Sequence, residues 1–251
     1  MKEEKELHKE LTPHSTCKDY TVSNESYELF HNSKYDLLVT LPVPSDLGKY
    51  YKSEDYISHT NSNKSFLDKI YQRVRNYTIG RKLFLINSFK TPGKKLLDIG
   101  SGTGDFLLTC KQNGWEVVGV EPSKEARAIS EEKNIRVVEE ATLLENDVYD
   151  VITLWHVLEH IQNLEEYISL LQQKLKPNGV LIIAVPNFKS YDAKYYKEFW
   201  AAFDVPRHLW HFSQDSIKKL FSRVSMKVEK TLPMKFDAYY VSILSEKYKT
   251  G

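Results

Sequence analysis

Cysteine is nearly absent: Cys17 and Cys110 are the only two thiols in 251 residues. Two lone thiols build no disulfide framework, and they point to a reducing, cytoplasmic compartment. Long apolar runs are missing as well, with none near the roughly 20 residues that span a bilayer. The opening Met-Lys-Glu-Glu-Lys-Glu lacks the apolar stretch of a secretory signal. Charge bias is also small, since 35 basic and 34 acidic side chains leave a net +1. That balance hides a segregation. Residues 61–95 carry nine basic and one acidic side chain, and residues 96–163 carry five and thirteen. No Arg-Lys-aromatic interleaving follows the basic block, so it reads as the solvated face of a helix bearing Lys69, Arg73 and Lys82. Neither nucleic acid nor a membrane is expected as a partner.

What is present suffices for a sizeable core, with 41% hydrophobic residues and 12% aromatic. Residues 1–63 read as an N-terminal cap or lid. Within them Tyr27–Phe30 and Leu37–Leu41 can pair as antiparallel strands, and the prolines of Leu41-Pro-Val-Pro-Ser45 forbid a helix there. Asp46 to Thr60 is rich in tyrosine. Residues 64–94 read as a helical linker packing on the core, with Phe66, Leu67, Ile70, Val74 and Tyr77 at helical spacing. Gly80 is expected to end or kink that helix, and a second one to run over Leu83–Phe89.

Residues 95–251 form the main expected domain, in which apolar strands and helical patterns alternate. Strands are predicted at Lys95–Ile99, Glu116–Val120, Ile135–Glu139, Asp150–Leu154 and Val180–Val185. The last, continuously apolar, is expected to be covered on both faces. Helices are predicted over Asp105–Gln112, from Ser123 onward, and over Leu164–Leu175, the last stopped by Lys176-Pro-Asn-Gly179. This alternation makes the fold class α/β: a doubly wound, mostly parallel sheet with helices on both faces and an N-terminal cap. Residues 188–212 read as an aromatic insertion. A helix from Ser213 to Val224, a sixth strand at Met226–Leu232 and a helix over Asp237–Tyr248 are expected after it.

The chemistry centres on Asp98-Ile-Gly100-Ser101-Gly102-Thr-Gly104. A strand ends in an acid, passes three alternating glycines and enters a helix, as a chain does around a nucleotide. The next strand ends in Glu121, placed to hold ribose hydroxyls. The spacing is Gly-x-Gly-x-Gly, which disfavours the Gly-x-Gly-x-x-Gly loop of nicotinamide-dependent oxidoreductases.

These motifs, with Val120-Glu121-Pro122, Tyr149-Asp150-Val-Ile-Thr-Leu154 and Leu175-Lys-Pro-Asn-Gly179, resemble the class I S-adenosylmethionine-dependent methyltransferases over roughly residues 95–186. Trp155-His156-Val-Leu-Glu159-His160 is similar to the segment after strand four in the ubiquinone-biosynthesis type. Asp204-Val-Pro206-Arg207-His208-Leu-Trp210-His211-Phe212 is similar to a signature of bacterial enzymes acting on small molecules. The resemblance implies a Rossmann-like sheet, S-adenosylmethionine as cofactor with S-adenosylhomocysteine as product, and methyl transfer to a small-molecule acceptor, oxygen before carbon or nitrogen. It implies that the cofactor is held by Asp98, Gly100, Ser101, Gly102, Gly104, Glu121, Pro122, Ala141, Trp155 and His156. A non-catalytic cofactor-binding module is the alternative. Relatives in that subgroup often begin with a zinc ribbon, but Cys17 stands alone, so no metal is expected at the N-terminus. The family's usual seventh, antiparallel strand has no counterpart after Tyr248.

An oxygen acceptor has to lose its proton, and His160 or His208 is the expected base, with Arg207 as anchor for an acidic acceptor. The competing structural roles are a helix-buttressing His160 and an Arg207 paired with Asp204. His156-x-x-x-His160 has metal-ligand spacing on a helix, yet no carboxylate or cysteine motif completes it, so no metal site is expected.

Overall fold

The computed structural model describes residues 6–51 and 66–251, and side chains in the second stretch from Arg73 onward. The end of the expected lid through Thr60, the expected helix start at Lys64, and the side chains of Phe66, Leu67 and Ile70 lie outside the described residues. Contacts divide the chain into two units, the first within residues 1–59, 158–165 and 185–251, the second within 60–157 and 166–184. This division differs from the expected boundaries, for a reason found in the first unit's sheet.

The second unit is built on five parallel strands: β4 Lys95–Ile99, β5 Glu116–Val120, β6 Val137–Val138, β7 Tyr149–Trp155 and β8 Leu175–Ala184. Their spatial order is β6-β5-β4-β7-β8, so the winding reverses between β4 and β7. Helices α1 Phe66–Ser88, α2 Asp105–Gln112, α3 Lys124–Glu132 and α4 Leu164–Lys174 flank the sheet. Leu96 of β4, Leu107 and Cys110 of α2, Trp115, Ile135 and Val151 of β7 make one buried cluster. Ser123 caps α3 as expected, its hydroxyl accepting from Ala126 N. Among the described residues no helix is long and apolar enough to cross a membrane.

Two expectations here need correction. Helix α1 runs unbroken through Gly80, where nothing lies within 4 Å of an added Cβ. A lone glycine costs a helix only about 1 kcal/mol relative to alanine, and the good helix formers Arg81, Lys82 and Leu83 follow it. Strand β8 begins at Leu175, ahead of its predicted start, because Lys176–Gly179 form a bulge: Tyr149 pairs with Leu175, and Val151 already pairs with Val180. It is also the sheet's edge, with Val180 to Ile183 half-buried, not covered on both faces.

The first unit holds a four-stranded antiparallel sheet, β1 Leu11–Lys18, β2 Ser26–Asn32, β3 Leu37–Leu41 and β9 Trp210–His211, in the order β1-β2-β3-β9. The β2–β3 pair is the predicted one. Strand β1 escaped the sequence reading because Pro13 interrupts it. The register slips between Pro13 and Ser15, which an edge strand tolerates. Leu38 pairs with His211 and Val39 with Trp210. The expected insertion, residues 188–212, is thereby drawn into the N-terminal sheet, and the expected domain boundaries fail on that pairing. Tyr27, Leu29, Leu38, Tyr50, Trp200, Phe203 and Val205 pack as its core.

Helices α5 Tyr191–Tyr196, α6 Gln214–Ser222 and α7 Lys235–Thr250 complete this unit. A reciprocal cap between Ser213 and Ser216 starts α6. Ser245 of α7 accepts Ala201 N at 2.8 Å. Met226–Leu232 forms no strand. Its in-out alternation is present, but among the described residues no strand edge pairs with it.

Candidate functional site

The second unit brings the glycine loop and the acid of β5 together at the reversal point of the sheet, where open α/β sheets bind ligands. Gly100, Gly102 and Gly104 all take left-handed φ, at 71°, 53° and 76°. An added Cβ on Gly100 would stand 2.5 Å from Val157 Cγ2, so that position admits no side chain. Gly102 is different: nothing lies within 4 Å of its Cβ position, which leaves the loop open to a ligand. The Gly100 and Ser101 N–H groups donate to Val120 O at 2.7 and 3.0 Å, pinning the loop to the end of β5.

Glu121 follows that strand and spans back to the loop. Its Oε2 accepts Gly102 N and its Oε1 accepts Ser123 N, each at 2.9 Å. A carboxylate offers about four lone-pair sites, so two backbone bonds fix its orientation and leave acceptors for a vicinal diol. The open Gly102, the oriented Glu121 and the N–H groups at the start of α2 fit an adenosyl amino acid, which carries a diol and a carboxylate.

The other expected cofactor residues differ in what they present. Ser101 is buried and its hydroxyl lies over Gly119, where an added Cβ would be 2.4 Å away. Its side chain closes the loop onto β5, and its backbone N–H and carbonyl are bonded to Val120 O and Gly104 N. Pro122 is exposed, and its carbonyl accepts Arg127 Nη1 at 2.7 Å. Ala141 is buried at the head of a single 3-10 turn, Ala141–Leu143. Trp155 meets Phe106 edge-on at 5.9 Å, and the Lys82 ammonium stands 4.4 Å from its ring centroid. The Trp155 ring therefore already carries a cation over its face. His156 is exposed with φ 58°, its N–H bonded to Ala184 O at 3.0 Å.

Asp98 lies buried at the end of β4 and accepts Thr153 Oγ1 at 2.5 Å. Burial pushes its carboxyl from the ordinary 3.8 up to about 7, against the opposing pull of Thr153 and Lys82. Between those values the unfolded chain releases this proton while the folded chain keeps it. Stability therefore falls as pH rises from about 4 to about 7 and levels off above. Asp98→Asn removes the titration, so urea denaturation of the cofactor-free protein should show the variant gaining on wild type across that window. A gap independent of pH would mean that Asp98 ionises normally.

The first unit assembles the histidines. His160 and His208, 48 positions apart in the chain, meet with ring centroids 4.7 Å apart and planes at 75°. His160 Nδ1 lies 3.0 Å from Arg207 O and His208 Nδ1 lies 2.9 Å from Ala202 O. Tyr51 Oη also lies 3.0 Å from His160 Nδ1, whereas the carbonyl at His208 Nδ1 only accepts, so His208 Nδ1 carries hydrogen and its Nε2 is bare in the neutral ring. Burial, then the neighbouring His208, holds the His160 pKa down at about 4. Glu159 is 0% exposed, with Oε1 4.0 Å from His208 Nε2. The sequence reading passed over Glu159 as a site residue, although its place beside His160 was a usable signal. His156 and His160 share no helical face, because Leu158–His160 is one 3-10 turn.

Arg207 departs from the expected anchor role. Its Nε donates to Asp204 Oδ2 at 2.9 Å, Nη1 to Tyr50 O at 3.0 Å, and Nη2 to Thr21 Oγ1 at 2.7 Å and to Asp204 Oδ1. Burial alone would raise the Asp204 carboxyl, but Arg207 holds it below its ordinary value. With the guanidinium 8% exposed and its donors engaged, Arg207 is a scaffold residue. His211 is likewise structural. Thr40 Oγ1 donates to His208 O at 2.7 Å and so accepts from His211 Nε2 at 2.8 Å, while burial keeps the ring neutral.

Comparison with known proteins gives the family and the fold. The methyltransferase domain family matches residues 71–231. A ubiquinone biosynthesis O-methyltransferase of Rickettsia prowazekii is 33% identical over 141 residues, 52% of this chain and 56% of that protein. Its counterpart in Rickettsia typhi is 32% identical over 149 residues, 55% and 61%. The chain thus spans less than two thirds of the length of these curated relatives. In fold, it superposes on magnesium protoporphyrin IX methyltransferase of Synechocystis, solved with bound S-adenosylhomocysteine, with a TM-score of 0.55. The identity is 17%, over 72% of this chain and 89% of that one. A cyclopropane synthase of Mycobacterium tuberculosis gives the same TM-score at 15% identity, over 79% and 80%.

Proposed function

Because the chain belongs to the class I S-adenosylmethionine-dependent methyltransferases, we propose that it methylates a hydroxyl oxygen of a small-molecule acceptor and releases S-adenosylhomocysteine. The observation that carries this reading is the glycine loop with Glu121 bonded across it. The choice of oxygen is supported by the relatives named O-methyltransferases.

When bound, S-adenosylmethionine supplies a methyl group on a sulfonium, open to in-line displacement. The chain's part is to align and to take a proton. Glu121 binds the ribose hydroxyls, and the N–H groups at the start of α2 bind the carboxylate. Of His160 and His208, we assign proton acceptance to His208, whose bare Nε2 lies 3.7 Å from Asp204 Oδ2 and 4.0 Å from Glu159 Oε1. His208 Nε2 would take the proton that an acceptor hydroxyl gives up on methylation. The buried, unpaired Cys17 and Cys110 suit a cytoplasmic enzyme.

The test is transfer of a labelled methyl group from S-adenosylmethionine to a panel of hydroxyl-bearing small molecules, beside calorimetric titration with S-adenosylmethionine, S-adenosylhomocysteine and NAD. Binding of both adenosyl ligands but not NAD, with labelled product, is expected. Tight cofactor binding with no product across the panel would leave a binding module instead.

A further inference from the structure

We propose that the outer edge of β8 is a self-association surface, to which a second copy of this chain adds its own β8, antiparallel and about a two-fold axis. Strand β8 closes one side of the five-stranded sheet. Its pairing with β7 fixes which backbone groups face outward. Trp155 pairs with Ala184 in parallel register, and His156 N donates to Ala184 O. In a parallel ladder a residue bonded in this way turns both its N–H and its C=O to the neighbouring strand, and the next residue turns both away. Val180, Ile182 and Ala184 therefore bond β7, while Leu181 and Ile183 present their backbone groups off the sheet. Among the described residues no backbone group pairs with them.

Sheet edges are commonly blunted against such pairing by lysine, proline or a bulge. The first half of β8 carries all three, in Lys176, Pro177 and the register shift between its Leu175 and Val180 pairs. The second half, Val180-Leu-Ile-Ile-Ala184, carries none of them and is rich in β-branched side chains. Val180 to Ile183 are half-buried, so apolar surface remains exposed beside the outward backbone groups.

The same pattern names the partner. An antiparallel strand has to offer outward N–H and C=O groups at alternate positions, and β8 itself offers them at Leu181 and Ile183. With the two-fold axis at Ile182, Leu181 faces the partner's Ile183, and each such pair exchanges both N–H···O bonds. A contact that is its own complement closes at two copies. Strand β7 lies between β8 and the glycine loop after β4, so the added strand leaves that loop uncovered. A five-residue segment is only about 17 Å long, and it falls short of the roughly 800 Å² per partner of a standard stable interface. The dimer therefore forms and dissociates with concentration.

Sedimentation velocity from about 1 to about 300 μM reads the association, and amide hydrogen exchange followed by NMR reads the edge. A monomer–dimer equilibrium is expected. The Leu181 and Ile183 amides should gain protection as concentration rises, while those of Ile182 and Ala184, bonded to β7, stay protected throughout. Leu181→Pro deletes an outward N–H and no bond to β7. It should keep the circular dichroism of wild type and weaken the dimer by about 10-fold or more, since each copy loses one donor. Ile243→Asp, at an exposed residue of α7, should dimerise as wild type does. A monomer at every concentration overturns the proposal. So does protection of Leu181 and Ile183 already in the monomer, which would mean that another part of the chain covers the edge. A dimer lost in Ile243→Asp but kept in Leu181→Pro overturns it as well, by moving the contact to α7. The wild-type exchange pattern decides the matter even if Leu181→Pro fails to fold.

Discussion

Arg207→Ala is expected to destabilise the protein by about 3 kcal/mol, the low end of the cost of removing one partner from a buried ion pair, because the Asp204 side chain left behind is 25% exposed. Asp204 loses its fork of hydrogen bonds, and Tyr50 O and Thr21 Oγ1 lose their donors. Thr21 sits in the turn ordered by Asp19, whose carboxylate also accepts from Thr21, Val22 and Ser23. The loss therefore reaches the hairpin between β1 and β2. At a urea m-value of about 2–3 kcal/mol/M, the midpoint should fall by about 1–2 M, read from tryptophan fluorescence. Arg207→Lys should recover less than half of this, because an ammonium cannot make the bidentate contact. An acceptor anchor would behave in the opposite way, raising the acceptor KM while leaving the urea midpoint in place. That result would return Arg207 to the role first read from the sequence.

The contrast between the two units explains what the sequence could reveal. The glycine loop, Glu121 and the strand–helix alternation from Lys95 onward were legible because each depends on neighbours in the chain. Left-handed φ at alternate residues, a capping serine at position 123 and apolar strand runs are local requirements. The first unit depends on pairings across more than 150 residues: Leu38 with His211, Tyr50 with Arg207, Thr40 with His208. No periodicity announces these.

The misreadings have the same origin. Met226–Leu232 has a strand's alternation, but alternation specifies a face and not a partner, and here no edge pairs with it. Gly80 was given too much weight as a breaker, although its cost is small beside that of a whole helix. His160 and His208 were singled out separately for their chemistry. Their meeting at 4.7 Å, with Glu159 beside them, came only from the fold.

Glu121→Ala should weaken both S-adenosylmethionine and S-adenosylhomocysteine by about 100-fold or more, since a hydrogen bond to a charged group contributes about 1.5–3 kcal/mol and the diol makes two. The structure gives this carboxylate a second employment as a staple between Gly102 N and Ser123 N, and the two roles separate in the measurement. As a staple alone, the acid would orient the loop without touching ligand, and Glu121→Gln, whose carbonyl still accepts one backbone N–H, would restore most of the affinity. As a ribose clamp, Glu121→Gln should stay well below wild type, because one neutral acceptor replaces a charged pair. Calorimetry on the three proteins, with circular dichroism as the control for fold, reads the difference directly. Unchanged affinity in a folded Glu121→Ala would remove the ribose assignment, and with it the observation on which the methyltransferase reading of this site chiefly rests.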